Sequence, residues 1–464
     1  MNTAEWGRLV IYLGAAGAVT ATVLFALAAR QEGWLVWARR TYALAVFSAV
    51  TAFGILILLC MRSDFSVVYV ANFSSSDLPW YYKLSSAWAG QEGSFLLWAF
   101  WTALLGLPLI RRLQRYEPLT MAVYSSILAF LMAILTKQSP FLQYPPSEVP
   151  PEGMGLNPLL QNYWMAIHPP VIFIGFAALA IPFSIAVAAL LRKDWDGWAQ
   201  IAMPFVILCW VTLGAGLILG GYWAYVTLGW GGFWAWDPVE NSSYFPWLFM
   251  AAGMHGLMLQ INRGRMVRWN PLLLALPFIL FLYGTFLTRS GALAEVSVHS
   301  FVNMETNALK ILMGMLVGSG LLTLGLWAWR YRQMPLPARD LTKGFSREAA
   351  VRWGIILLSV SALISLIGTS WPLITKAVGR QMEALKPEFY NQVHIPWIVI
   401  TAIVLAAAPM LTWRGMSLDQ ILERLTKSWL AAVATGFVLF FLGFREPITL
   451  LICTLVAFTA YANA

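Results

Sequence analysis

Residues 230–238 read Trp-Gly-Gly-Phe-Trp-Ala-Trp-Asp-Pro and lie between two long apolar runs. This stretch brings three tryptophans together with a glycine pair and one carboxylate. The chain contains 24 tryptophans in 464 residues, more than anchoring at a membrane interface by Trp and Tyr alone requires. The stretch therefore predicts a flat aromatic shelf outside a membrane that contacts a planar ligand, and haem is the first candidate.

The composition is that of a membrane protein with many spans. Hydrophobic residues make up 59% of the chain and charged residues 11%, and the mean hydropathy is +0.69. These values exclude a water-soluble domain. Cys60, Cys209 and Cys453 fall within apolar runs and none has a metal-binding or redox spacing. We therefore expect small buried side chains and neither disulfides nor thiolate metal sites.

Apolar runs near 20 residues in length predict an all-α bundle of about 13 transmembrane helices, forming a single membrane domain over residues 1–464. The basic residues Arg30, Arg39 and Arg40 follow the first run. This order differs from that of a signal peptide, so we expect a retained helix with its N-terminus outside. The predicted spans are residues 9–29, 43–61, 95–110, 119–136, 170–191, 198–222, 244–262, 270–288, 308–329, 353–372, 395–412, 428–444 and 447–464.

Most of the 30 Lys and Arg residues lie in loops that follow the odd-numbered spans. The positive-inside rule makes these loops cytoplasmic and places the alternate loops outside. The net charge of +9 is therefore mostly a topology signal, and no basic helix supports binding of nucleic acid. The outer loops at 62–94, 137–169, 223–243 and 289–307 are long, and long ordered loops usually have a function.

Two histidines in these outer loops are candidate haem ligands. His168 directly precedes Pro169 and Pro170, which we expect to keep its backbone extended and to start the next helix, fixing the height of the side chain. His299 lies in the loop after the eighth span, on the same predicted face. Two imidazoles on opposite sides of an aromatic floor would make a bis-histidine haem site. The alternative is that each ring caps a helix or bonds a loop carbonyl.

His255 falls near the middle of the seventh apolar run, where a titratable side chain is costly without a partner. One interpretation is an axial ligand of a second, buried haem that transfers electrons. The other is a neutral histidine that bonds the backbone of a neighbouring helix.

Four strings together resemble the CcmF-type haem lyases of the system I cytochrome c maturation pathway. WGGFWAWDPVENSSYFPWL (230–248) is similar to the tryptophan-rich "WWD" signature of haem-handling proteins. AWAGQEGSFLLW (87–98), LNPLLQNYWMAIHPP (156–170) and GTFLTRSGALAEVSVHSF (284–301) resemble further blocks of the family. The resemblance is strong over residues 80–305, which we interpret as the core haem-handling region.

The resemblance implies an enzyme of the bacterial inner (cytoplasmic) membrane with its active face towards the periplasm. It implies that haem arrives from a CcmE-type haem chaperone and is joined to the Cys-X-X-Cys-His motif of an apocytochrome c, with thiol-handling CcmH-type subunits as further partners. It also implies a buried haem b and a quinol that keep the transferred haem iron ferrous. The matching positions are His168 and His299 for the outer, catalytic haem ligands, His255 for the haem b ligand, and Trp230, Trp234 and Trp236 along the incoming haem.

Three further features have two interpretations each. Asp237 either acts on a proton or a basic group of the chaperone, or caps the helix that begins near Asn241. Arg289 either pairs with a haem propionate or is a helix-end arginine that extends towards the membrane surface. Residues 377–392 predict an amphipathic helix on the outer surface, either a docking element or an ordinary interfacial helix.

The sequence departs from the family pattern at its C-terminal end. The family continues into a further helix that provides the second ligand of the membrane haem, then another outer domain and a final helix, whereas this sequence stops at Ala464. We expect a partial chain, a haem b ligated on one side, or a separate polypeptide in that role. His394 is the remaining candidate for the second ligand, although its position at the outer end of the eleventh span argues against it.

Two other classes of protein remain as alternatives. A haem carrier or exporter would bind and present haem without forming thioethers, but typically has fewer helices and lacks the AWAGQEGS block. A subunit of a redox-driven ion pump would need charged residues along the membrane midplane, and the apolar runs contain almost none.

Overall fold

The computed structural model describes residues 1–229, 231–293, 304–336 and 345–464. Within these residues the chain folds into a bundle of α-helices. Their bounds are α1 Thr3–Ala28, α2 Leu35–Met61, α3 Val68–Phe73, α4 Trp80–Ser86, α5 Gln91–Gly106, α6 Glu117–Lys137, α7 Tyr163–Ala178, α8 Ala180–Arg192, α9 Gly197–Thr227, α10 Pro238–Arg263, α11 Asn270–Arg289, α12 Thr306–Arg330, α13 Arg347–Ala377, α14 Pro387–Ala407, α15 Leu418–Phe441 and α16 Pro447–Asn463.

The all-α membrane architecture predicted from the sequence is confirmed. Eleven helical segments of the described chain are long and apolar enough to cross a membrane, with α7 and α8 forming one segment over Tyr163–Arg192. The two remaining predicted spans correspond to α10, whose first turns are polar, and to α16, which has 17 residues. The total of 13 spans stays a prediction.

The contacts between helix ends show which ends lie on the same side of the bundle, and they define two opposite faces. We call the face at which α1 begins the upper face. There Asn2 Nδ2 donates to Gln143 Oε1 over 3.2 Å, and Arg289 at the end of α11 donates from Nη1 to Oγ of Ser94 near the start of α5, over 2.7 Å. These contacts place described residues of the predicted outer loops at 62–94, 137–169 and 289–307 at helix ends on this face.

The opposite, lower face holds several ion pairs. The Arg39 guanidinium forms two hydrogen bonds of 2.7 Å with Glu117, and Arg265 Nε lies 3.1 Å from Glu348 Oε1. Basic residues collect on this face, as a cytoplasmic surface requires. The orientation of the chain in the membrane stays a prediction.

Helix α8 lies at the centre of the bundle. Every residue from Ala180 to Leu190 is buried, and the helix contacts α6, α9, α11 and α12. Alanines at 186, 188 and 189 allow this close approach, because small side chains let neighbouring backbones come together in a membrane. The α15–α16 hairpin lies at the periphery, against α14.

The amphipathic helix predicted over residues 377–392 is not formed. Helix α13 continues to Ala377, residues 378–386 have no regular structure, and α14 begins at Pro387. Gly379 has a φ of 77°, the left-handed conformation that terminates helices and favours glycine. Pro387 keeps the preceding Lys386 extended, with ψ at 154°, so the two helices cannot merge.

We predict that Glu117→Ala lowers the thermal stability of the detergent-purified protein. Glu117 is 2% exposed and holds Arg39, so its removal leaves a partly buried guanidinium without its counter-charge, at a cost of about 3 kcal/mol. Thermal unfolding should show Tm falling by several degrees. The control is Arg115→Ala, which removes an ion-pair partner of Asp194; the Arg115 side chain is 60% exposed, so solvent screens this pair and Tm should fall much less. Equal Tm values for the two variants would contradict the assignment.

Candidate functional site

The tryptophan-rich segment links α9 to α10 at the upper face, and the structure describes all of it except Trp230. Gly231 has a φ of 68° and Trp236 a φ of 58°. The left-handed conformation is accessible to glycine, but for a bulky side chain it costs about 1–2 kcal/mol. Such strain persists only where the surrounding residues enforce it, so the contacts of Trp236 must hold its backbone in this conformation.

Asp237 caps α10. Its carboxylate accepts a 2.9 Å hydrogen bond from the Val239 N–H, and the Glu240 carboxylate accepts one of 3.1 Å from the Asp237 N–H. Together they form a capping box, which satisfies backbone donors at the first turn. The cap interpretation of Asp237 is therefore confirmed, with the helix beginning at Pro238 rather than near Asn241.

The two described indoles of the segment, Trp234 and Trp236, do not form one flat shelf. The rings of Trp234 and Trp236 are nearly perpendicular, at 88° with centroids 6.1 Å apart. Both meet the edge of Tyr244 on the second turn of α10. For these two indoles the prediction of a flat platform is wrong, because the left-handed backbone at Trp236 turns its side chain away from that of Trp234.

Trp236 packs against the start of α14. Its ring stacks on Tyr390 at 7° and a centroid distance of 4.9 Å, and on His394 at 26° and 4.8 Å. The indole Nε1 donates to Asn391 Oδ1 over 2.9 Å, and the Asn241 amide donates to the Trp236 carbonyl over 2.9 Å. Sequence reasoning did not single out Tyr390 or Asn391, although their spacing with His394 at i, i+1 and i+4 places all three near one side of a helix.

The segment also contacts the upper end of α9. The Phe233 ring stacks on Tyr225 with the planes 1° apart and centroids 4.4 Å apart. A Cβ at Gly221 would lie 2.9 Å from the Phe233 carbonyl oxygen. The tryptophan-rich segment can approach α9 this closely at Gly221 because a glycine has no side chain.

His168 lies inside α7, and its predicted extended backbone is wrong. The helix begins five residues earlier, at Tyr163, because the Asn162 side chain accepts a hydrogen bond from the Trp164 N–H. Pro169 and Pro170 therefore lie in the second turn of the helix. The carbonyls of Met165 and Ala166 lose the N–H groups that would normally bond them.

The His168 ring is held against α9. Its Nδ1 lies 2.9 Å from the Gly216 carbonyl oxygen, and since a carbonyl only accepts, Nδ1 carries the proton and Nε2 the lone pair. A Cβ at Gly220 would lie 2.7 Å from Cε1 of this ring. Gly216 and Gly220 form a GxxxG pair, the spacing that lets membrane helices approach closely. Neighbouring residues of α9, Gly220 and Gly221, thus place His168 beside the tryptophan-rich segment.

His255 lies near the middle of the apolar run 244–262 but in the lower half of the longer helix α10. At 1.5 Å per residue, it is about 25 Å from Pro238 and about 12 Å from Arg263. The difference arises because α10 begins with polar residues that the apolar run omits. The ring is half-buried, and its Nδ1 lies 2.7 Å from the Ala251 carbonyl one turn earlier. Nε2 therefore carries the lone pair, as in His168.

His394 is a poor second ligand for the same iron as His255. Its ring stacks on Trp236, before the start of α10, so it lies about 25 Å along that helix from His255. Its Nδ1 donates to the Tyr390 carbonyl over 2.8 Å, and its Nε2 lies 3.4 Å from Ser365 Oγ. The structure therefore contradicts the remaining candidacy of His394 as the second membrane ligand, in agreement with the helix-depth argument against it.

His299, like Trp230, lies outside the described residues. The structure describes the residues on either side of its loop. Arg289, before the loop, donates to Ser94 Oγ, and its guanidinium lies 4.8 Å from the centroid of the Phe95 ring. Pairing of Arg289 with a haem propionate stays a prediction.

Glu305, after the loop, belongs to a polar cluster at the upper face. Its backbone N–H approaches Gln138 Oε1 at 3.4 Å, and Gln138 Nε2 donates to Glu92 Oε1 over 3.2 Å. Hydrogen bonds from Asn307 and Ala308 lower the pKa of the Glu305 carboxyl. The AWAGQEGS block stands out as a motif, but its contact with Arg289 and its link to Glu305 through Gln138 depend on long-range packing that the sequence does not reveal.

The described residues contain no group of three or more His, Cys, Asp or Glu side chains that could hold a metal ion by themselves. His168 and His255 instead each present one imidazole whose Nδ1–H is bonded to a backbone carbonyl. This hydrogen bond is the usual outer contact of a metal-ligating histidine, since it leaves Nε2 for the metal. The residues present therefore fit axial ligation of haem iron.

Comparisons with known proteins point to one family. A sequence profile described as "Cytochrome C assembly protein" matches residues 88–293. The chain is 35% identical to the cytochrome c-type biogenesis protein ccl1 of Rhodobacter capsulatus over 93% of its own length and 66% of that protein's. It is 36% identical to the cytochrome c-type biogenesis protein CcmF of Pseudomonas fluorescens, over 83% and 58%. The chain thus spans about two thirds or less of these relatives.

A solved structure of similar fold is that of a protein named "Cytochrome c Heme Lyase CcmF". It matches with a TM-score of 0.79 and 30% sequence identity, and the match covers 100% of this chain and 70% of the other.

We predict that Gly220→Ala weakens the contact between α7 and α9. The added methyl group would lie 2.7 Å from the His168 ring, and overpacking of this kind costs about 1–3 kcal/mol. The variant should unfold several degrees below the wild type in a thermal melt. The matched control is Gly318→Ala on α12, where a Cβ meets no atom within 4 Å, so its Tm should not fall. If the Gly220→Ala protein has the same Tm as the control, the His168 ring moves aside without loss of stability and the prediction is wrong.

Proposed function

The chain belongs to the cytochrome c assembly protein family, and on this basis we propose that it is a haem lyase of cytochrome c maturation. In this proposal it accepts haem from a haem chaperone on the periplasmic side of the inner membrane. It then holds that haem while an apocytochrome c attaches through the two cysteines of its Cys-X-X-Cys-His motif.

The observation that carries the proposal is the placement of His168. Its ring is held between α7 and α9 through Nδ1, so that Nε2 would be the nitrogen that binds a haem iron, and neighbouring residues of α9 contact both this ring and the tryptophan-rich segment. A planar ring system ligated by His168 would meet aromatic side chains at its edge or face, which favours a porphyrin over a small ligand. His299 as the opposing ligand stays a prediction from the family resemblance.

Thioether formation requires the protein mainly to position the haem and the cysteine thiols. Each cysteine thiol adds across one haem vinyl group: sulfur bonds to one vinyl carbon and the proton goes to the other, so nothing leaves and no net oxidation occurs. An enzyme accelerates such an addition mainly by holding the reacting groups in the correct geometry. We assign this role to His168 and to the indoles of Trp234 and Trp236, while Asp237 keeps the start of α10 in place through its capping box.

We further propose that His255 ligates a resident haem b. That group would supply electrons that keep the substrate iron ferrous, with a quinol as reductant. His255 contributes an imidazole at a depth set by α10, and its Nδ1–H is bonded within its own helix. Arg289, a cation at the upper face, is placed in this proposal to pair with a propionate of the incoming haem.

Cytochrome c formation tests the lyase. The chain should restore covalent haem attachment in a bacterium that lacks its own lyase, assayed by haem staining after denaturing electrophoresis. His168→Ala should lower the yield at least tenfold, because removing an axial ligand releases the substrate. The control is Tyr163→Ala, in the first turn of the same helix and 68% exposed, which should retain the wild-type yield. Haem binding without any covalent product would identify a carrier instead.

The absorption spectrum of the purified protein tests the resident haem. The reduced wild-type protein should show the bands of a b-type haem, and His255→Ala should lose them because the imidazole ligand is gone. Asn262→Ala, an exposed position two turns further along α10, should keep them. Retention of the bands in His255→Ala would refute this ligand.

A further inference from the structure

We propose that the start of α14 positions Trp236 for contact with the incoming haem, with Tyr390, Asn391 and His394 acting as positioning residues. This inference rests on the proposed function, because it concerns the same upper-face site. It adds to that site an element that lies more than 80 residues beyond the 80–305 core region suggested by the sequence.

The first support is the strain at Trp236. Its left-handed backbone is unfavourable for an aromatic residue, and a segment free to relax would abandon it. Two stacked rings and one hydrogen bond from α14 act on the side chain, and the Asn241 amide acts on the carbonyl. The indole therefore has a position that four contacts determine together.

The second support is the rigidity of the residues that touch the indole. Tyr390 is 2% exposed and His394 3%. A Cβ at Gly368 of α13 would lie 2.5 Å from Cε1 of Tyr390, so that ring lies against bare backbone. His394 is held at both nitrogens, by the Tyr390 carbonyl and by Ser365. Helix α13 thus supports the surface on which Trp236 rests.

The third support is that the indole retains an exposed part. Trp236 is only half-buried, whereas the two rings beneath it are almost fully buried. Tyr390 and His394 lie one helical turn apart on α14, and both rings stack on the indole. The exposed part of the indole is where a planar ligand can make contact.

Haem titration of the purified protein tests this positioning. Added haem is followed by difference absorption, which reports binding beyond any haem already present. Asn391→Ala removes the acceptor of the indole N–H and should weaken binding about three- to tenfold, as expected for one neutral hydrogen bond. Tyr390→Ala should weaken binding at least as much, and Tyr390→Phe should restore it because the stacked ring returns. The control is Ile398→Ala, on the same helix and 43% exposed.

A double-mutant cycle separates positioning from general loss of stability. Trp236→Phe lacks the N–H that Asn391 accepts, so adding Asn391→Ala to it should have no further effect on haem affinity. The same loss in both backgrounds, or unchanged affinity in all α14 variants while the wild type binds haem, would overturn the positioning role alone. A wild-type protein that neither binds added haem nor forms cytochrome c would overturn the lyase function and the positioning role with it.

Discussion

Inside a membrane, a polar group must find its partner within the protein, because the hydrocarbon offers none. The three described histidines meet this constraint in the same way, each donating from Nδ1 to a backbone carbonyl. The consequence is chemical as well as structural. A bonded Nδ1–H fixes the tautomer, the ring orientation and the direction of Nε2 before any ligand arrives. The three rings differ in their places in the fold: His168 lies against α9, His255 lies in the lower half of α10, and His394 has Ser365 beside its Nε2.

Glycines of α9 allow His168 and the tryptophan-rich segment to lie close to this helix at the upper face. Helices α7 and α9 approach so closely that a methyl group at Gly216 or Gly220 would overlap a neighbour. The same bare surface of α9 receives the Phe233 carbonyl at Gly221. One helix therefore determines the spacing between an imidazole and an aromatic loop that are more than 60 residues apart in the sequence.

The sequence predicted what depends on local pattern. Apolar runs located the helices, and the spacing of Asp237, Pro238 and Glu240 is that of a helix start. The sequence did not predict how residues far apart in the chain pack against each other. The perpendicular indoles follow from the left-handed backbone of Trp236, which residue propensities do not predict. The position of Tyr390 follows from its packing against Gly368. The backbone of His168 differs from expectation because a residue before proline usually leaves the helix, whereas here the Asn162 cap had already begun it.

The paired prolines of α7 give the upper site a mechanical property. Two consecutive residues after His168 lack the N–H that would tie them to the preceding turn. The turn that bears the imidazole is therefore compliant, while the ring itself remains tethered to α9 through Gly216. The backbone of this turn can therefore deform at lower cost than that of a fully hydrogen-bonded turn, while the ring keeps its contact with Gly216. In the proposed lyase, such compliance would let the chain hold a haem and later release it to another polypeptide.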